Sequence, residues 1–163
     1  WRGHQVLAMR LAAGLSAGGL DRRGAFFIGG QLTNQDILRT IIARGAYNES
    51  GKIRGFVPSA FSGRYYSVLN TEYVIPLYDV ERGIGSLPLF MDRLMLMPFS
   101  DVGMAWTDEL TEDLIKVGVG ASMIFAFDIG YGGEAVNLFF TYAHGFDEDF
   151  GVDSFQAMIA RSF

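Results

Sequence analysis

One arginine and two carboxylates carry the clearest chemistry in this chain. Arg54 sits in Ile53-Arg54-Gly55-Phe56, at the end of a long Gly-rich segment. Glu72, in Asn70-Thr71-Glu72-Tyr73, and Asp101, in Phe99-Ser100-Asp101-Val102-Gly103, fall in the middle of the next two alternating runs. A guanidinium has a planar fork that engages two acids at once. An Arg held in a water-poor interior needs such partners, because an unpaired buried charge is expensive. The chemistry is pinning rather than catalysis: Arg54 is expected to reach from a loop into a barrel and pair with Glu72 and Asp101.

Other reactive side chains read differently. His144 is the obvious candidate base, but it falls on the outward register of a strand beside Tyr142 and Phe146, where an interfacial role fits better. Ser122 and Asp128 share a face, yet about 20 Å separates them at roughly 3.3 Å per residue, too far for a dyad. His4 and the Asp147-Glu148-Asp149 run suggest a divalent cation less well than a solvated loop does. No catalytic residue, metal or cofactor is expected, and the chain does not read as an enzyme.

The elements that must position these groups are strands. Half of the 163 residues are apolar, yet no run approaches the roughly 18–20 residues of a membrane helix, so the apolar content is spread by alternation. Six strands are expected, over Gln5–Ala17, Arg64–Tyr78, Leu89–Trp106, Leu114–Ile129, Ala135–Phe146 and Ser154–Phe163. The fourth is the clearest. Ile115, Val117, Val119, Ala121, Met123, Phe125, Phe127 and Ile129 make an unbroken apolar row, opposite Lys116, Gly118, Gly120, Ser122, Ala126 and Asp128. That is longer than most soluble strands, whose mode is about 5–6 residues. It suits a wall with lipid on one side and a polar lumen on the other. Pro76 is expected to end the second strand, and Pro98 to force a bulge or break in the third.

Gly18 to Gly63 is too long for a turn. Within it, Thr33 to Ala46 reads as a short helix: Thr33 or Asn34 caps it, Ile37, Leu38, Ile41 and Ile42 make a stripe, and Gly45 ends it. The connections alternate between loops (18–63 and the acidic stretches 107–113 and 147–153) and shorter connections (79–88 and a four-residue turn at 130–133). Outer-membrane barrels have long external loops and short periplasmic turns, which puts Arg54 on an external loop and Phe163 at the periplasmic side. Trp1-Arg2-Gly3-His4 is neither an initiator Met nor a basic signal region, so the chain is expected to be the C-terminal part of a longer protein. Six strands are too few to close a filled barrel, which takes about eight, so two unpaired edges are expected. The net charge of −5 gives no reason to expect nucleic acid as a partner.

These motifs, in this order, resemble the C-terminal barrel segment of the BamA/TamA superfamily of outer-membrane proteins, the bacterial surface-antigen family. Ile53-Arg54-Gly55-Phe56 is similar to the family's Val-Arg-Gly-Phe/Tyr loop motif. Phe99 to Gly103 is similar to its Phe-x-Asp-x-Gly strand motif, and Asn70 to Tyr73 with Pro76-Leu77 to the strand between. Phe155, Ile159 and Phe163 are similar to the terminal-strand signal. The likeness covers nearly the whole chain. It implies the last six strands of a barrel of about 16, with residues 18–63 as the inward-folded loop and 64–163 as the last five strands. It also implies a loop lock of Arg54, Gly55, Phe56, Glu72, Asp101 and Gly103. The implied setting is the bacterial cell outer membrane. The implied partners are its lipid, substrate outer-membrane or secreted proteins, and a periplasmic N-terminal domain of the same chain. The implied activity is protein insertion or translocation, with a weak strand seam that templates substrate strands. Three features depart from the family pattern: Ala160 where Gly is common, the helix-like insert at Thr33–Ala46, and the long connection around Glu81 to Gly85.

Two further readings remain. In a passive or substrate-specific outer-membrane channel, Arg10, Lys116 and Asp128 on the inward faces would tune ion passage, and conductance after truncating 18–63 would discriminate. A soluble β-barrel or sandwich binding module would have to hide the row from Ile115 to Ile129 against a second sheet.

Overall fold

A computed structural model of the chain describes residues 4–17, 25–30, 47–83, 89–109, 111–130 and 134–161. It is all-β, with no α-helix among the described residues. Six strands form one antiparallel sheet in the order β1 (Val6–Leu15), β5 (Tyr65–Gly83), β6 (Leu89–Trp106), β7 (Lys116–Ile129), β8 (Glu134–Gly145) and β9 (Asp153–Arg161). Three short strands from the long loop, β2 (Phe26–Gly29), β3 (Tyr47–Lys52) and β4 (Phe61–Gly63), form a second sheet in the order β3-β2-β4. The large sheet does not close on itself; β1 and β9 are its edges.

The large sheet has two unlike faces, because side chains alternate along each strand. One face carries Asn70, Glu72, Phe99, Asp101, Gly103, Ala105, Gly118, Ser122, Thr141 and Ala143, and the small sheet folds onto it. The core lies in this interface: Ile28, Ile53, Phe56, Tyr66, Val68 and Ala105, with Ala12, Phe26 and Phe61 packed around them. The opposite face is mostly apolar, and no described element covers it. Leu11 and Leu15 on β1 are 72% and 73% exposed, and Phe155 and Ile159 on β9 are 75% and 72% exposed.

Strand starts and ends step in sequence across the sheet. β7 begins opposite Gly103, three residues in from the end of β6. β8 ends opposite Gly118, two residues in from the start of β7, and β9 begins opposite His144, one residue in from the end of β8. A progressive stagger of this kind accompanies strands that tilt against a level rim, as barrel walls do.

Two expectations need correction, and a third, the bulge or break at Pro98, is met by a break. Pro76 does not end its strand: β5 continues to Gly83, with register shifts between Pro76 and Tyr78 and between Asp79 and Arg82. The missing N–H is tolerated because the β1 ladder stops at Val6–Val74 and the β6 ladder shifts there. Pro98 forces no bulge. Met97, Pro98 and Phe99 pair in step with Ser122, Ala121 and Gly120, and pairing to β5 keeps one register on either side, from Glu72–Phe99 to Ile75–Leu96. The sheet leaves a gap in the ladder at Pro98 rather than inserting a residue. The irregularity in β6 lies instead between Met91 and Arg93. Finally, residues 18–63 are more than a loop, since they contribute β2, β3 and β4. The expected helix over Thr33–Ala46 and the terminal Phe163 lie outside the described residues.

Candidate functional site

The site is built on the pairing of β5 and β6. Asn70 lies opposite Asp101, and Glu72 opposite Phe99. All four side chains point to the face covered by the loop, so they form a four-sided frame. Arg54 enters this frame from above. Its backbone comes down beside the sheet because Ile53, fully buried, donates its N–H to the Gly29 carbonyl at 2.8 Å.

Asp101 receives the fork of the guanidinium: Nε donates to Oδ2 and Nη2 to Oδ1, each at 2.7 Å. The Arg54 backbone N–H donates to Oδ2 at 2.9 Å, and Asn70 Nδ2 donates to Oδ1 at 2.9 Å. Each carboxylate oxygen thus accepts two bonds, so a carboxylate with no solvent exposure has both oxygens satisfied by protein donors. Nη1 of Arg54 donates to Glu72 Oε1 at 2.7 Å; that carboxylate is about one-third exposed, at 35%. The guanidinium carbon lies 3.5 Å from the centre of the Phe99 ring, so an aromatic face covers the cation. Burial is the largest influence on Arg54 and disfavours its charge, but the bonds and charges of Asp101 and Glu72 outweigh it and raise its pKa above the ordinary arginine value.

The other residues of the expected lock surround this frame. Gly55 has φ of 85°, and a Cβ there would stand 2.5 Å from the His144 carbonyl carbon, so both backbone conformation and space require glycine. Phe56 is 3% exposed and meets Phe61 edge-on, with centroids 5.5 Å apart. Gly103 lies two residues on from Asp101, directly against Ile53. The structure therefore brings Arg54, Gly55, Phe56, Glu72, Asp101 and Gly103 into one neighbourhood. It puts Phe155 and Ile159 elsewhere, on the bare outer face of the edge strand.

Sequence reasoning had not assigned Asn70 and Phe99 a part in the lock. Both sit two residues before one of the acids, on the same strand face, and that spacing was the available signal. It also missed that Asp147 is no member of a solvated run. Its carboxylate turns inward, pairs with Lys116, and accepts the N–H groups of Phe150 at 2.8 Å and Asp149 at 3.2 Å. The Lys116 bond, then the Phe150 bond, hold the Asp147 pKa below the usual carboxylate range. On the outer face, His144 Nδ1 and the Tyr142 hydroxyl both meet Asp153 Oδ1 at 2.8 Å, and the His144 ring meets Phe146 edge-on. Ser122 shares a hydrogen bond with Thr141 at 2.8 Å.

A cavity of about 230 Å³ borders the frame between β1 and the loop, lined by Ala8, Arg10, Lys52, Arg54, Asn70 and Glu72. What the arrangement does chemically is hold one loop against one registered strand pair. Comparison with family models, curated proteins and solved structures gave no match to the chain.

Proposed function

We propose that this chain is part of the wall of an outer-membrane β-barrel, with the loop around Arg54 folded into the lumen and pinned there, and that the barrel inserts or translocates proteins. The observation that carries the reading is the contrast between the two sheet faces. One face has a charged, hydrogen-bonded lock roofed by a loop; the other presents large apolar side chains that no described element covers. Each such side chain left in water forgoes about 1.5–3 kcal/mol, and lipid is the cover that suits a sheet with staggered strands and one apolar face. The narrower reading, a BamA/TamA-like assembly barrel rather than a channel, draws its support from the Arg-Gly-Phe and Phe-x-Asp-x-Gly motifs and from β9 as an edge strand, which suits strand templating.

Residues 1–163 include no cysteine, so a cysteine introduced here is the one thiol of this stretch. In the full-length protein in membranes, Leu11→Cys and Phe125→Cys are expected to be accessible only to lipid-borne probes, and Arg10→Cys and Asp128→Cys only to water-soluble ones. Equal labelling of both faces by water-soluble reagent would remove the barrel reading. Reconstituted assembly of a substrate barrel, abolished by Arg54→Glu, tests the insertion activity. No substrate assembly by the natural protein would leave a passive barrel, and full assembly by the Arg54→Glu variant would mean that insertion does not depend on the lock.

A further inference from the structure

Arg54 holds only one end of the docked loop. Residues 55–57 are held by a separate set of contacts that involves neither Glu72 nor Asp101. Phe56 forms an antiparallel bridge with Gly151. The Val57 N–H donates to the Phe150 carbonyl at 3.2 Å, and the Val152 N–H donates to the Gly55 carbonyl at 2.8 Å. The loop has added a short strand to the connection that leads β8 into β9. That connection is itself braced: Asp147 caps the amides of Phe150 and Asp149, the Gly151 N–H donates to the Asp147 carbonyl, and the Phe146 N–H donates to Val117 on β7. Lys116, which pairs with Asp147, lies over the Phe61 ring, and Phe61 meets both Phe56 and Phe150 edge-on.

We propose that residues 55–57 and the 147–152 turn form a strap that ties the lumen loop to the terminal strand, with Lys116–Asp147 as its latch, so that the ordering of β9 depends on the strap and not on Arg54 alone. Among the described residues β9 pairs with β8 only and is an edge of the sheet. An edge strand bonded on one side opens at lower free energy than a central one. Val152, the residue immediately before β9, is where the strap adds a bond from the other direction. The functional meaning rests on the barrel reading above: the strap would set how readily the terminal strand becomes free for other pairing.

The test is Asp147→Ala in the full-length protein, read by amide hydrogen exchange. The change removes the partner of Lys116 and the acceptor of two turn amides, and leaves Arg54, Glu72 and Asp101 intact. Exchange at Val57, at Val152 and along 154–160 is expected to accelerate together, by about ten-fold or more, while the Arg54 amide bonded to Asp101 keeps its protection. Faster exchange at Val57 and Val152 with β9 unmoved would overturn the coupling. No change anywhere, or loss of Arg54 protection in step with the rest, would overturn the separate latch. A second variant covers failure of the first to fold: Val57→Cys with Phe150→Cys is expected to cross-link under mild oxidation and to slow β9 exchange relative to its reduced form. Absence of the cross-link, or a cross-link without slowing, refutes the strap. Lipid labelling of Leu11→Cys and Phe125→Cys, read separately, judges the barrel.

Discussion

The two acids that hold Arg54 should not be equivalent, and replacing each by its amide separates them. Asp101 is fully buried and accepts two bonds on each oxygen, all from donors: Arg54 N and Nε on Oδ2, and Arg54 Nη2 and Asn70 Nδ2 on Oδ1. In Asp101→Asn the new NH2 must occupy one of these two positions. Either way it faces two donors, and the buried guanidinium loses its bidentate counter-charge. Breaking a buried pair on one side costs about 3–5 kcal/mol. Glu72 accepts one bond from Arg54, and its side chain is 35% exposed, so water can replace part of what is lost. Glu72→Gln should cost about 1–2 kcal/mol, toward or below the low end of the roughly 1.5–3 kcal/mol of a hydrogen bond to a charged group. The assay is urea unfolding of the full-length protein, followed by the heat-modifiable gel shift and by protease accessibility of the loop. The midpoint should fall about two to three times further for Asp101→Asn than for Glu72→Gln. Equal shifts, or a larger shift for Glu72→Gln, would mean that the fork does not rest on Asp101 and would refute the reasoning.

Two further perturbations follow from the same geometry. Gly55→Ala puts a side chain at φ of 85° and within 2.5 Å of the His144 backbone, so the loop should leave its seat; the left-handed conformation alone costs about 1–2 kcal/mol. Limited proteolysis within 18–63 should become faster while the six-stranded sheet persists. Asp147 has a depressed folded pKa, caused first by Lys116. Its contribution is therefore fully present above the ordinary aspartate value of about 3.9 and is lost as pH falls through the folded value. Exchange of the Phe150 and Asp149 amides should accelerate over that acid window in the natural chain and show no such pH step in Asp147→Asn.

Much of the large sheet was legible because its strands are long. β6 spans Leu89–Trp106 as the alternation indicated, and β7 repeats its two-residue period over 14 residues, far more than chance patterning sustains. The charged frame was legible for a related reason: an acid amid inward-facing apolar and small residues must have a partner. The small sheet was not legible. β2 has four residues and β4 three, too few for a period, and β2 pairs with β3 in parallel across a long intervening segment. Local pattern carries no record of such a pairing. Pro76 misled because its effect depends on whether a neighbour needs its N–H, which is a property of the sheet. Asp147 looks like an ordinary surface charge until the 146–152 turn brings it to Lys116, which lies over the Phe61 ring.

Arg54 also reads the register of the strands beneath it. Its fork takes one acid from β5 and one from β6, and the two lie near each other only because Asn70 pairs with Asp101 and Glu72 with Phe99. A slip of two residues keeps every side chain on its proper face, so the hydrophobic pattern does not forbid it. In one sense that slip carries the acids about 7 Å further apart, beyond what one guanidinium can span; in the other it sets Glu72 opposite Asp101 but moves Asn70 about 7 Å along from the Asp101 oxygen to which it donates. The lock is therefore satisfied in one register. Order of assembly follows from loop entropy: β5 and β6 are consecutive strands joined by a short connection, whereas the Arg54–Asp101 contact closes 47 residues of chain. Hairpin amides around Val68–Gly103 should gain protection before the Arg54 amide when refolding is followed by pulse-labelled exchange. In Asp101→Asn the hairpin should still form, with the loop undocked. Protection of the Arg54 amide ahead of the hairpin would mean that the loop templates the strands instead of checking them.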